Sequence, residues 1–206
     1  MNRKLLVILP VVAVLAISCA NTTTPTTAPV DEPTLAATDT PRAIVAARAD
    51  EAVQALKDRD MEMLSSLVHP VAGVRFTPYA FVQDSDLVFS PAQLVGILSD
   101  PTTYVWGVYD GSGLPIEMTF EGYYGRFVYD QDYAAAEWTS FNERIGTGNS
   151  IDNSREYYPE AIVVEYHFPG FDPDLAGMDW RSLRLVFQEQ NSVWYLVGII
   201  HDEWTI

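Results

Sequence analysis

The most continuous apolar pattern after residue 40 lies at the C-terminal end of the chain. Trp180 to Gln188 reads as a strand in which Leu183, Leu185 and Phe187 share one face, because strand side chains alternate with period two. Glu189 to Ser192 is a polar turn, and Val193 to His201 is a second strand that is apolar on both faces. Straight alternation puts Trp194, Leu196 and Ile200 on one face of it and Val193, Tyr195, Val197 and Ile199 on the other. Such a strand is covered on both sides. This ribbon is therefore predicted to be the middle of a curved, antiparallel sheet.

Upstream, the period changes to that of helices. Thr40 can cap and Pro41 can open a helix in which Val45, Ala49, Ala52 and Leu56 recur on one face. Asp60 caps a second, short helix that stops at His69-Pro70, since the residue before proline disfavours helix. His69 there suits a helix end as a cation. Gly73 to Val82 reads as extended, with Pro78 confining it to an edge or irregular position. Ser90-Pro91-Ala92-Gln93 is a capping box opening a helix to about Leu98. Thr103 to Tyr109 is a strand closed by the turn Asp110-Gly111-Ser112-Gly113, and Leu114 to Met118 a short strand. Phe120, Tyr123, Tyr124, Phe127 and Val128 fall on one helix face. Tyr133 to Asn142 and Ala161 to Phe168 read as strands, separated by the polar loop Gly146–Ser154, and Pro169 to Asp179 is a long loop. Early helices followed by mostly antiparallel strands make an α+β domain, with the helices packed on one face of the sheet.

The residues before this domain read differently. Arg3 and Lys4 precede an apolar run, Leu5 to Ile17, that is shorter than the roughly 20 residues needed to span a bilayer. It fits a secretory signal. Ala16-Ile17-Ser18-Cys19 resembles the lipobox of bacterial lipoproteins, with its usual leucine displaced by one to Leu15. That resemblance implies a signal over residues 1–18, palmitate or a similar lipid on Cys19, and a protein held outside the cytoplasmic membrane. Residues 19–40 are rich in threonine and proline and poor in large apolar residues, the composition of a disordered tether. One domain, 41–206, follows.

Composition narrows the function classes. Cys19 is the only cysteine, so the domain holds no disulfide and no cysteine-based metal site. The formal charge of −16 repels nucleic acid and anionic lipid headgroups. No hydrolase elbow, phosphate loop, dinucleotide fingerprint or paired-histidine zinc motif occurs, and no cofactor is expected.

Two resemblances add to this. Gly73-Val74-Arg75-Phe76, Tyr109-Asp110-Gly111-Ser112-Gly113, Tyr166-His167-Phe168-Pro169-Gly170-Phe171-Asp172-Pro173, Gly177-Met178-Asp179-Trp180-Arg181-Ser182-Leu183-Arg184 and His201-Asp202-Glu203-Trp204-Thr205 resemble a family of uncharacterised bacterial lipoproteins. That likeness covers nearly all of the domain and brings no activity with it. By element order alone, the domain looks like the cone-shaped nuclear transport factor 2-like (cystatin-like) superfamily. That resemblance implies a pocket inside a cone, and the fold hosts enzymes, binders and oligomerisation modules alike.

Candidate chemistry is sparse. Glu165 and His167 share a strand face about 7 Å apart, and a carboxylate beside an imidazole suits acid–base catalysis, with His201 a further candidate. Ile162, Val164, Tyr166 and Phe168 form the apolar face of that strand, so Glu165 should face away from the core and pair with Arg184 on the neighbouring strand. Asp172, Asp174 and Asp179 place three carboxylates in one loop, as hard cations require, although Asp and Pro are ordinary turn residues too. Trp106, Tyr109 and Asp110 end one strand where a ligand pocket could form; packing into the core is the other use of Trp106. Val193, Tyr195, Val197 and Ile199 could cover a second copy of the chain. The sequence thus supports a binding or interaction module of the cell envelope, with a small acid–base enzyme as the alternative.

Overall fold

Helices lie first in the chain because their ends are specified locally. In the computed structural model, which describes residues 40–205, the Thr40 side chain accepts the Ala43 N–H at 3.3 Å and opens α1, Pro41–Asp58. Arg59 ends it in the left-handed region, and Asp60 at once caps α2, Met61–Leu67, accepting the Met63 N–H at 2.8 Å. The His69 ring then turns the chain as an acceptor rather than as a cation: Nδ1 takes the N–H groups of Val71 and Ala72, at 3.1 and 2.8 Å.

The remaining elements are β1 (Val74–Thr77), β2 (Val88–Phe89), α3 (Pro91–Leu94), β3 (Thr103–Val108), β4 (Pro115–Thr119), α4 (Phe120–Phe127), β5 (Trp138–Phe141), α5 (Ser154–Tyr157), β6 (Ile162–Phe168), β7 (Arg181–Gln190) and β8 (Val193–Glu203). Six strands form one sheet in the order β2-β1-β8-β7-β6-β5, and β3 and β4 form a separate hairpin. The apolar β7–β8 ribbon is central. All pairs in the large sheet are antiparallel except β1 with β8. The fold is α+β, with α1 laid across β6 and β8.

One side of the sheet carries the main core. Val164, Tyr166, Leu183, Leu185, Phe187 and Leu196 pack there against Val45, Ala49, Ala52 and Leu56 of α1. α4 adds Phe120, Tyr123 and Phe127, which meet Phe76, Phe89 and Trp106 in a cluster of edge-to-face and stacked rings. On the other side, Val163, Val186, Val197 and Ile200 form a smaller core with Val82 and Tyr158. That side is closed by the segment between β5 and β6.

The alternation expected for β8 fails at one point. Val186 faces Gly198 but Phe187 faces Leu196, so Val197 is an extra residue in β8. This bulge reverses the parity beyond it. Ile199 joins the helix side and Ile200 the outer side, the reverse of the straight reading. Val193, Tyr195, Val197 and Ile199 therefore do not share a face, and only Val193 among them is exposed. The patch expected to cover a second copy does not form.

Three further expectations shift. β1 stops before Pro78 and lies between β2 and β8, not at an edge. The strand expected over Tyr133–Asn142 is only Trp138–Phe141, because Tyr133–Ala135 is a tight helical turn. The polar loop ends in α5. The expected signal (1–18) and nearly all of the tether (19–40), Cys19 included, lie outside the described residues.

Gly73 holds the β1 entry at φ +71°, where a Cβ would stand 2.6 Å from the Phe89 carbonyl oxygen. Gly73→Ala should therefore destabilise the protein by about 1–3 kcal/mol, through backbone strain and loss of the β1–β2 approach. A urea melt showing an unchanged midpoint would contradict this.

Candidate binding site

A cleft of about 580 Å³ opens between the β1 exit and the β3–β4 hairpin. One wall is Pro78 to Phe81 and Gln83, a second is Trp106 to Gly111, and the third is Asn149 to Ile151 from the segment covering the outer side. The β3–β4 pairing is irregular between Val105 and Val108. Gly107 there has φ +128°, which lets Trp106 turn into the core while Val108 turns out over the cleft.

Trp106 is 1% exposed. Its ring stacks on Tyr123 at 3.8 Å and its Nε1–H donates to the Met118 carbonyl at 3.0 Å. It serves the core and offers the cleft only an edge. Tyr109 is half-buried, and its N–H and C=O close the hairpin turn with Leu114 and Gly113. Asp110 is exposed, with Oδ1 accepting the Gly111 N–H at 3.0 Å. Phe81, Val108 and Ile151 are exposed apolar side chains around the opening. The phenol of Tyr79 is held above its usual range by burial and the charge of Glu203, against a backbone hydrogen bond from Asp110, so it stays neutral.

The third wall is pinned by charge. Arg184 is 1% exposed; its Nε lies 3.1 Å from Glu165 Oε2 and its Nη2 2.6 Å from Asp202 Oδ2. Arg144, from the covering segment, reaches the same Asp202 oxygen at 2.9 Å, and the Ser150 hydroxyl donates to Asp202 Oδ1 at 3.0 Å. The Ile145 and Gly146 N–H groups donate to Glu165 at 3.0 and 2.9 Å. Burial opposes the charge on Glu165, but Arg184, Ser182 and those two amides outweigh it and hold the carboxyl below the usual range. Burial also works against Arg184, and its carboxylates more than restore it.

His167 and His201 lie on opposite sides of the sheet. His167 Nδ1 is 2.8 Å from Ser182 Oγ, which donates to Glu165 Oε1 at 2.6 Å. An ionised carboxylate only accepts, so the serine proton is committed, Nδ1 carries the imidazole proton, and Nε2 keeps its lone pair. Desolvation, ahead of the opposing pull of Glu165, lowers the His167 pKa. His201 is turned by the bulge to the helix side, fully buried, with Nε2 3.4 Å from Asp130 Oδ2. Tyr133 and Arg181 also bond Asp130, at 2.7 and 3.1 Å, and Glu203 joins Arg181 to Arg126. Burial works against the Asp130 charge, yet His201, Tyr133 and Arg181 keep its pKa low. Neither histidine lines the cleft. This inner cluster was not legible beforehand: only the bulge brings His201 and Glu203 to the helix side.

The expected cation loop does not converge. Asp179 Oδ2 accepts the N–H groups of Phe171 and Asp172, at 3.0 and 2.8 Å, and Asp172 Oδ1 accepts that of Asp174 at 2.9 Å. The carboxylates satisfy their own loop backbone, and among the described residues no group of three acids or histidines is placed to hold a metal.

No protein-family model matches the chain, and no curated protein does. Among solved structures it is similar to a calcium/calmodulin dependent protein kinase II association-domain-like protein from Xanthomonas campestris, at 13% identity and TM-score 0.36, over 80% of this chain and 89% of that one. It is also similar to a nuclear transport factor 2-like designed protein, at 12% identity and TM-score 0.32, over 76% and 96%. Scores this low say nothing of activity or ligand.

Two outcomes are expected from the charge network. Arg184→Met leaves two buried carboxylates without their shared partner and should cost about 3–5 kcal/mol in a denaturant melt. The folded-state pKa of His167 lies below the ordinary 6.5, so the unfolded chain takes up the proton first. Stability should therefore fall as pH drops from about 6.5 through the folded value. His167→Phe should flatten that part of the pH–stability curve, and an equally steep curve in the variant would refute the assignment.

Proposed function

We propose that this protein is a membrane-tethered lipoprotein outside the cytoplasmic membrane, anchored through Cys19, and that its domain binds a small, largely apolar molecule in the cleft beside Trp106, Tyr109 and Asp110. The observation that carries the ligand reading is the cleft's composition. It has the volume of a drug-sized ligand site. Its lining is mostly apolar, with Phe81, Val108 and Ile151 at the opening and Gln83, Asn149, Ser150 and Asp110 as the few polar handles. Apolar side chains standing open around a concavity mark a surface that something covers. A binding module needs no more than this, whereas acid–base catalysis needs a histidine and an acid converging on the ligand. The cleft offers Asp110 without a histidine. The tether rests on the lipobox resemblance and on the threonine- and proline-rich composition that follows it.

An apolar fluorescent probe such as N-phenyl-1-naphthylamine should bind saturably to the full chain. Val108→Arg, at a side chain 54% exposed, should weaken it about tenfold or more by placing a charge at the mouth, with the melting temperature unchanged. Probe affinity unaffected by Val108→Arg would remove the cleft as the site. Separately, radiolabelled palmitate should enter the wild-type protein but not Cys19→Ala, which should leave the membrane fraction; a variant still bound to the membrane would exclude the lipid anchor.

A further inference from the structure

The outer side of the sheet carries a second concavity, of about 380 Å³, which the reading above does not use. It lies where β5, β6 and the C-terminal end meet the loop before β7, and it is lined by Trp138, Thr147, His167, Met178, Trp180 and Trp204 among others. Trp138 is 52% exposed and Met178 48% exposed. The His167 ring is held between two indoles, 5.7 Å from Trp138 at 23° and 5.8 Å from Trp180 at 39°. Trp138 thus keeps one ring face against His167 and shows the other to solvent. The Trp180 indole N–H lies beneath Gly148, on the side of the covering segment.

Three properties define what this groove can take. Its walls are electron-rich faces and a polarizable thioether. Its floor offers an acceptor without a donor, since the Nδ1 proton of His167 is spent on Ser182 and Nε2 has only a lone pair. Its electrostatic setting is negative: no Lys or Arg lines it, Glu137 adjoins Trp138, and Asp172, Asp174 and Asp179 stand in the flanking loop, on a chain of net charge −16. Arg144, Arg181 and Arg184, the cations nearest in sequence to its lining, are all occupied by carboxylates and none of them lines the groove. We infer that the Trp138–His167–Trp204 groove is a second binding site, for an organic ammonium ion that carries an N–H. The ammonium would donate to His167 Nε2 while its carbon substituent packs on the Trp138 face and Met178. A neutral sugar could use the same ring faces but gains nothing from the acidic setting, and an anion is repelled by it.

The probe is benzylammonium, titrated calorimetrically into the full chain against two controls of similar shape. Benzyl alcohol lacks the charge, and benzyltrimethylammonium lacks the N–H. Saturable one-to-one binding of benzylammonium is expected, with each control about tenfold weaker. Trp138→Ala, at a position 52% exposed on the edge strand β5, should weaken benzylammonium about tenfold, with circular dichroism checking that the variant is folded. Val108→Arg, in the other cleft, should leave it unchanged, so failure here is distinguishable from failure of the apolar site. No saturable binding, equal affinity for benzyl alcohol, or wild-type affinity in Trp138→Ala would overturn the proposal. Equal affinity for the trimethylated ion would overturn the role of His167 Nε2.

Discussion

The guanidinium of Arg184, sealed between Glu165 and Asp202, is the constraint from which the rest of the outer side follows. A buried cation of this kind does little for net stability by itself, because desolvation consumes most of the Coulombic gain. What it does is specify position. Asp202 can satisfy Arg184 and Arg144 together only if the segment after β5 lies down across the sheet. Glu165 accepts two backbone amides of the same segment, and Gly146 is pressed so close to Trp180 that a Cβ there would stand 2.5 Å from the ring. The buried carboxylates of Glu165 and Asp202, which would otherwise be orphaned beneath this segment, are matched by its own donors, whereas Arg184 Nη1, Arg144 Nε and Trp180 Nε1 find no hydrogen-bond partner among the described residues.

This arrangement ties the two concavities together. The segment fixed by Glu165 and Asp202 runs on to Asn149, Ser150 and Ile151, the third wall of the large cleft. Its earlier residues, Ile145 and Thr147, line the tryptophan groove. Neither concavity is made by the sheet alone. The cleft lies between the β1 exit, the β3–β4 hairpin and the strap, and the groove between the β5–β6 edge of the sheet and the strap, whose place is set by charge. Ser182 extends the same network to His167, fixing which ring nitrogen carries the proton, so the chemistry of the groove floor is also an outcome of the Arg184 cluster.

The helix side obeys a different rule. It is held by rings and aliphatic side chains, and its polar cluster of Asp130, Tyr133, Arg181, His201 and Glu203 sits at one end of the sheet. The cluster exists because one residue, Val197, is extra in β8. With straight alternation, His201 and Glu203 would face outward and Asp202 inward. Asp202 would then be lost to Arg184 and Arg144, and the outer strap would keep only its amide bonds to Glu165. One bulge therefore distributes charge correctly to both sides.

Much of this was legible in the sequence. Caps at Thr40 and Asp60, the capping box at Ser90, the ring-bearing face of α4 and the pairing of Glu165 with a neighbouring strand's arginine are local or period-two properties, and local geometry decides them. The apolar ribbon announced itself as the sheet centre because its second strand, from Val193 to Ile200, carries no charge on either face. The tertiary structure alone decided the rest. Gly198, next to the extra residue, is the one hint of a bulge in this run, but a glycine in a strand also marks a close backbone approach, so the facing of Ile199, Ile200 and His201 was not decided ahead. The fate of Asp172, Asp174 and Asp179 depended on whether their own backbone amides turned back to meet them. The use of the loop after β5 as a strap, and with it the shape of both concavities, required knowing which buried charges lay beneath it, because a polar loop reads the same whether it faces water or an arginine.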